Sequence, residues 1–173
     1  MKLTSQLLVF VTCVVVILGQ KVLDELFDFD QYKNLKFYVT HRGGLIVPGK
    51  VIRRKDASCV TTSIEENREK GNFTYIVELM EQNQPARVTH PAYPLEDGFA
   101  FVALSGDTIT VKVIGTDYSN YSIVTYNFGE RSYHIVMVAN WMANSIVRQR
   151  FFEITGRALA SLEVIDNRGC QRT

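Results

Sequence analysis

Apolar and polar side chains alternate along most of this chain. Between residues 108 and 126, Ile109, Val111 and Val113 are separated by Thr110 and Lys112, the period-two signature of a strand with one buried face. Asp117, Ser119 and Asn120 then supply turn chemistry. Tyr121, Ile123 and Val124 open a second strand, so the segment predicts a β-hairpin. Similar apolar segments recur at intervals of about ten residues. They predict strands over 35–47 (interrupted by Gly43-Gly44), 58–64, 73–80, 86–90, 99–104 and 133–139. With the hairpin the total is about eight strands on short turns, which predicts an all-β sandwich or an up-and-down barrel.

The period changes once. Over 144–161, Val147, Phe151, Ile154 and Ala158 fall at helical spacing, which predicts an amphipathic helix. Asn144 or Ser145 is the candidate N-cap, and Arg148, Gln149, Arg150 and Arg157 fall on the polar side. A short strand over 162–165 then leads to Cys170. Before the first strand, 23–32 is acidic and aromatic and predicts a short turn or 3₁₀ segment. There is no repeat, low-complexity stretch or linker, so 20–173 reads as one domain.

Residues 1–19 read differently. Lys2 precedes an apolar run over 7–18 that ends at Gly19, the layout of a secretory signal. The run is too short to span a bilayer core of ~30 Å, so no transmembrane segment is expected in the mature chain. Cleavage after Gly19 removes one of 19 basic residues and none of the 18 acidic ones, leaving a formal charge of zero. With no basic run, nucleic-acid binding has no electrostatic support. A secreted, extracellular location also bears on the cysteines. Cys13 leaves with the signal, so Cys59 and Cys170 remain. In an oxidising compartment two such cysteines are expected to pair, the alternative being two free thiols. Asn72-Phe73-Thr74 and Asn120-Tyr121-Ser122 are candidate N-glycosylation sites in the same compartment.

The wording of the hairpin adds to its pattern. Ile114-Gly115-Thr116-Asp117-Tyr118-Ser119-Asn120-Tyr121 closely resembles the hairpin motif of the lipocalins, in particular of apolipoprotein D and the insect bilin-binding proteins. Thr116, Asp117 and Tyr118 carry its signature. Asp28-Phe29-Asp30 followed by Leu35-Lys36-Phe37-Tyr38, then Ser58-Cys59-Val60, the helix and Cys170 follow in the family's order. The resemblance implies an eight-stranded antiparallel up-and-down barrel with one C-terminal helix packed outside, and a bridge between Cys59 and Cys170. Two departures stand out. The first family motif is Gly-x-Trp, where this chain has Leu35, Lys36 and Phe37. The arginine that packs over that tryptophan corresponds to Asn140, beside Trp141. The closed end is therefore expected to be built differently, with Phe37 as a plain hydrophobic plug.

If the apolar faces point inward, Phe73, Tyr75, Val77, Phe99, Phe101, Val111, Val113, Tyr121, Ile123, Tyr133, Ile135 and Met137 line the barrel. Alternation is the same for an interior that holds a ligand and for one packed solid. The resemblance implies a cavity and a secreted carrier, not an enzyme, for a small hydrophobic ligand: a lipid, retinoid, fatty acid, sterol, pheromone or bilin-type pigment. No other cofactor is called for, and a cell-surface receptor is a further candidate partner. Two alternatives are a lipid isomerase using a free Cys59 thiolate, and a scaffold binding proteins through mouth loops at 43–50 and 85–97, stiffened by Pro48, Pro91 and Pro94. His41, His90 and His134 lack metal-site spacing, and haem binding would need one of them to point into the cavity. Asp117 reads as a turn residue rather than a catalytic acid.

Overall fold

The computed structural model describes residues 27–43, 57–139, 144–168 and 170. The proposed signal, the segment 44–56 and the pair Asn140 and Trp141 lie outside the described residues. A short helix α1 (Phe29–Tyr32) leads into eight strands: β1 (Lys36–Arg42), β2 (Ala57–Asn67), β3 (Asn72–Glu81), β4 (Gln84–Leu95), β5 (Gly98–Val102), β6 (Thr108–Thr116), β7 (Tyr121–Phe128) and β8 (Arg131–Val138). Helix α2 (Asn144–Thr155), a 3₁₀ turn (Leu159–Ser161) and the two-residue strand β9 (Glu163–Val164) follow.

Each strand of the eight pairs antiparallel with the next, and β1 pairs with both β8 and β2, so the sheet closes into a barrel. Closure leaves none of the eight barrel strands with a neighbour on one side only. Strand β9 lies against β1, with His41 opposite Val164 and Arg42 opposite Glu163. The buried Arg42 guanidinium grips the Glu163 carboxylate through Nε and an Nη, each at 2.9 Å, which fixes β9 to the barrel wall.

The predicted strands are present, with one substantial difference. Strand β4 does not stop at His90 but runs through Pro91 and Pro94 to Leu95, with Pro91 opposite Thr74 and Pro94 opposite Phe99. Proline forfeits a ladder donor, yet its fixed φ is compatible with extended backbone. The prolines therefore mark lost hydrogen bonds, and the stretch expected as a mouth loop at 85–97 is mostly strand. The mouth turns that are described lie elsewhere, at Gln82-Asn83, 103–107 and Gly129-Glu130. Gln82 and Asn83 both have positive φ, 50° and 65°, which matches the twist of a tight hairpin.

Helix α2 is shorter than its pattern predicts. Gly156, at φ 67°, ends it, and its N–H donates to the Phe152 carbonyl at 2.8 Å. Val147 and Phe151 are buried as expected and Ile154 half-buried, but Ala158 lies beyond the helix and is exposed; Leu159 of the 3₁₀ turn fills the buried position instead. Asn144 is the first helical residue rather than its cap.

The disulfide between Cys59 and Cys170 is formed, with Cα atoms 5.4 Å apart. The β2–β3 register shifts between Ser58 and Thr61, and Cys59 sits at φ 53° in that irregularity. The tail before Cys170 is laid along the wall by backbone bonds from Cys59 N to Asp166 O and from Ile165 N to Thr40 O. The Asn167 amide donates to the Val39 carbonyl at 2.7 Å.

Candidate ligand-binding interior

The closed end of the barrel is built from aromatic rings and the Thr-Asp-Tyr turn. Asp117 is saturated: Oδ1 accepts from the backbone N–H groups of Ser119, Asn120 and Tyr121 at 3.1, 2.7 and 3.1 Å, and Oδ2 from the Asn120 amide at 2.9 Å. Partial burial pushes its carboxyl upward in pKa, but the hydrogen bonds from Asn120, Tyr121 and Ser119 outweigh this and hold it below the usual carboxylate value. Thr116 Oγ1 closes the turn by donating to the Tyr121 carbonyl and accepting from the Tyr118 N–H. Tyr118, at φ 54°, reaches across to the N-terminal segment. Its hydroxyl accepts the Asp28 N–H at 2.8 Å, and its ring stacks on Phe27. Asp28 in turn caps α1 by accepting from Gln31 N.

Above this cap, Tyr32 and Phe37 are buried with ring centroids 5.6 Å apart, and the Tyr32 hydroxyl pairs with Ser122 Oγ at 2.9 Å. Phe37 thus plugs the end as a hydrophobe. A cation also sits over an aromatic ring here, though from other residues: Lys33 Nζ lies 5.5 Å from the Phe73 centroid and bridges Asp30 and Glu66.

The interior cluster holds Tyr75, Val77, Phe99, Phe101, Val111, Ile135 and Met137 as buried residues, with Phe73 and Val113 partly buried against it. Tyr133 is paired with the inward Tyr126 and shares its face. Tyr121 and Ile123 do not line the interior. They belong to a second cluster outside the barrel, with Val136, Val138, Val147, Phe151, Leu159 and Leu162, and form the floor on which α2 rests. The inward residues of β7 are Val124 and Tyr126. Both faces of β7 are buried at its start, so alternation could not choose between them. The signal that decides is the helix itself, which needs an apolar outer wall.

Four polar groups stand in the interior, of which Tyr75 is among the lining residues that the alternation predicts, while Tyr126, Thr62 and His90 are not. The Tyr75 and Tyr126 hydroxyls bond each other across the barrel. Thr62 Oγ1 donates to Met137 Sδ at 3.2 Å. Burial pushes the Tyr75 hydroxyl up to about 12 and raises that of Tyr126 well above the ordinary tyrosine value. The fourth is His90, which is 1% exposed and directly opposite Tyr75.

A cavity reaches three of these groups, Thr62, Tyr75 and Tyr126, but not His90, and is lined besides by Tyr32, Phe37, Phe99 and Met137 among others. It leaves about 10 Å³ for the centre of a water molecule, about what a single water needs. In this conformation the lower half of the interior is close-packed.

The glycosylation candidates Asn72 and Asn120 are both exposed. Among the described residues no cluster of His, Cys, Asp and Glu could hold a metal ion, and no helix is long and apolar enough to cross a membrane. Cys59, the sulfur that the isomerase reading requires, is bonded to Cys170.

No protein-family profile and no curated protein sequence matches the chain. Solved structures do. The major allergen Per a 4 from cockroaches is 18% identical, with a TM-score of 0.64 over 83% of this chain and 90% of that one. The amine binding protein of Rhodnius prolixus, in its tryptamine complex, is 17% identical, with a TM-score of 0.56 over 80% of each chain. A biogenic amine-binding protein is 17% identical, with a TM-score of 0.55 over 79% of this chain and 80% of that one. At these identities the likeness is one of fold. The chain is a closed eight-stranded barrel with an outer helix, an architecture it shares with small-ligand-binding proteins.

Proposed function

We propose that this protein is a secreted, lipocalin-type carrier that holds one small, largely apolar ligand inside its barrel, toward the mouth. The observation that carries the reading is the make-up of the interior. Aromatic and aliphatic walls surround a few convergent polar groups, the usual composition of a small-molecule site. The similarity in fold to solved structures of amine-binding protein supports it and adds compact amines to the lipids, retinoids, sterols and bilin-type pigments already in view. The disulfide and the leader-like residues 1–19 support secretion. Exposure of Asn72 and Asn120 is compatible with glycans at both.

Because the lower interior is filled, a ligand enters from the mouth and displaces side chains there. Burying ~200 Å² of apolar ligand surface yields roughly 5 kcal/mol before ordering costs, enough to offset a few rotamer changes. The close packing also favours a second reading, in which the barrel is a rigid scaffold and its mouth contacts another protein, a receptor among the candidates. One titration separates the two. The protein is mixed with an anilinonaphthalene dye, and retinol, oleate, cholesterol, biliverdin and tryptamine are added in turn. The carrier reading expects dye uptake and displacement by at least one ligand class; no uptake and no displacement would leave the scaffold.

A further inference from the structure

We propose that His90 is a hydrogen-bond acceptor anchor inside the barrel, and that it selects ligands with a compact apolar body bearing an O–H or N–H donor. The inference rests on the ligand-binding reading and names the chemistry of the same site.

His90 lies on β4 opposite Tyr75, on the strand face that points inward, and is almost wholly buried. Its Nδ1 lies 3.0 Å from the Val102 carbonyl oxygen. A carbonyl only accepts, so Nδ1 carries the proton. In a neutral ring that leaves Nε2 as a lone-pair acceptor. Burial favours the neutral ring by pulling its pKa below the ordinary histidine value, with the Val102 bond offsetting part of the effect.

Nε2 is buried and has no hydrogen-bond partner among the described residues. The bond between the Tyr75 and Tyr126 hydroxyls uses one of their two protons and Thr62 donates to Met137, and none of these groups reaches Nε2. Aromatic rings flank the imidazole, Phe101 at 5.0 Å and Tyr75 stacked at 6.5 Å between centroids. An unmet acceptor in an apolar enclosure is destabilising, and an apolar side chain there would avoid the penalty. An unmet acceptor on an imidazole flanked by two aromatic rings therefore fits a flat apolar molecule that brings its own donor. The Val102 bond holds the imidazole in that tautomer, so a ligand with acceptors only leaves Nε2 unmet.

The test uses a matched pair: 2-naphthol, which has a donor, and 2-methoxynaphthalene, which does not. Both are titrated against the dye-loaded, full-length protein and its His90→Phe variant, with circular dichroism as the check on fold. The expected result is about tenfold tighter binding of 2-naphthol by the natural protein, and equal affinities in His90→Phe. A second measurement does not depend on the variant. In protein labelled with ¹⁵N-histidine, the Nε2 resonance of His90 shifts on adding 2-naphthol and stays in place with 2-methoxynaphthalene. Equal affinities in the natural protein, or an Nε2 resonance indifferent to both compounds while both bind, overturns the anchor and leaves the carrier reading standing. Failure to take up the dye or either naphthalene overturns the carrier reading, and the anchor with it.

Discussion

Asp117 shows how one side chain can organise a turn. Its carboxylate accepts three successive backbone N–H groups and an amide. Asp117→Ala strips those acceptors from the turn that supports Tyr118, and is expected to lower the unfolding free energy by about 1 to 2 kcal/mol in urea titration. Asp117→Asn, which keeps one oxygen, is expected to lose less, and no loss in either variant would contradict the assignment. This role was legible in the sequence, because an aspartate at a turn bonds its neighbours. The role of Tyr118 was not, since its partner Asp28 lies 90 residues away. His90 was hidden for a related reason. A lone histidine beside Pro91 signals nothing until the register sets it opposite Tyr75.

Among the elements, α2 and the wall beneath it form a unit of their own. Phe151 is fully buried between the helix and the outer faces of β7 and β8. Phe151→Ala is expected to cost about 3 to 5 kcal/mol in thermal or urea unfolding. Strand β5 depends on Gly98 in a different way. A Cβ there would stand 2.0 Å from the Val111 carbonyl oxygen, a backbone atom that cannot swing aside. Gly98→Ala is therefore expected to lose about 3 kcal/mol or more, and a stability within error of the natural protein would refute that packing. The strands and the helix were readable because their periods differ. Where a strand buries both faces, as β7 does at its start, periodicity loses its phase, so alternation points Tyr121 and Ile123 inward although they face the helix. In β4 the prolines concealed a strand that the inward Ala92 continues.

For the whole molecule, the disulfide and the histidines set the response to conditions. Cys59 and Cys170 are 111 residues apart, and a loop of that size restrains the unfolded chain by about 4 to 5 kcal/mol in the chain-entropy account. Replacing both cysteines with serine is expected to lower the unfolding free energy by about 2 to 5 kcal/mol. The histidines act through protons. Burial holds His41, His90 and His134 below their ordinary pKa, helped by Arg148 near His41 and by Arg157 near His134. The unfolded chain therefore takes up protons first as pH falls through the ordinary histidine value of 6.5, and stability declines in acid. Carboxylates held low, Asp28, Glu78 and Asp117 among them, extend the decline below their unfolded value near 4. Urea midpoints are expected to fall between about pH 7 and about pH 5, and a flat profile would exclude the histidine contribution.

The hydroxyl bond between Tyr75 and Tyr126 has one more consequence. With Tyr32 it gives the molecule three phenols that resist ionisation because they are enclosed. Raised into alkali, the chain carries its own optical gauge. A phenol open to water ionises at about pH 10 as a rule, whereas these three wait until the staves of the barrel part. The lag between the two absorbance changes measures, without any label, how often the interior opens to water.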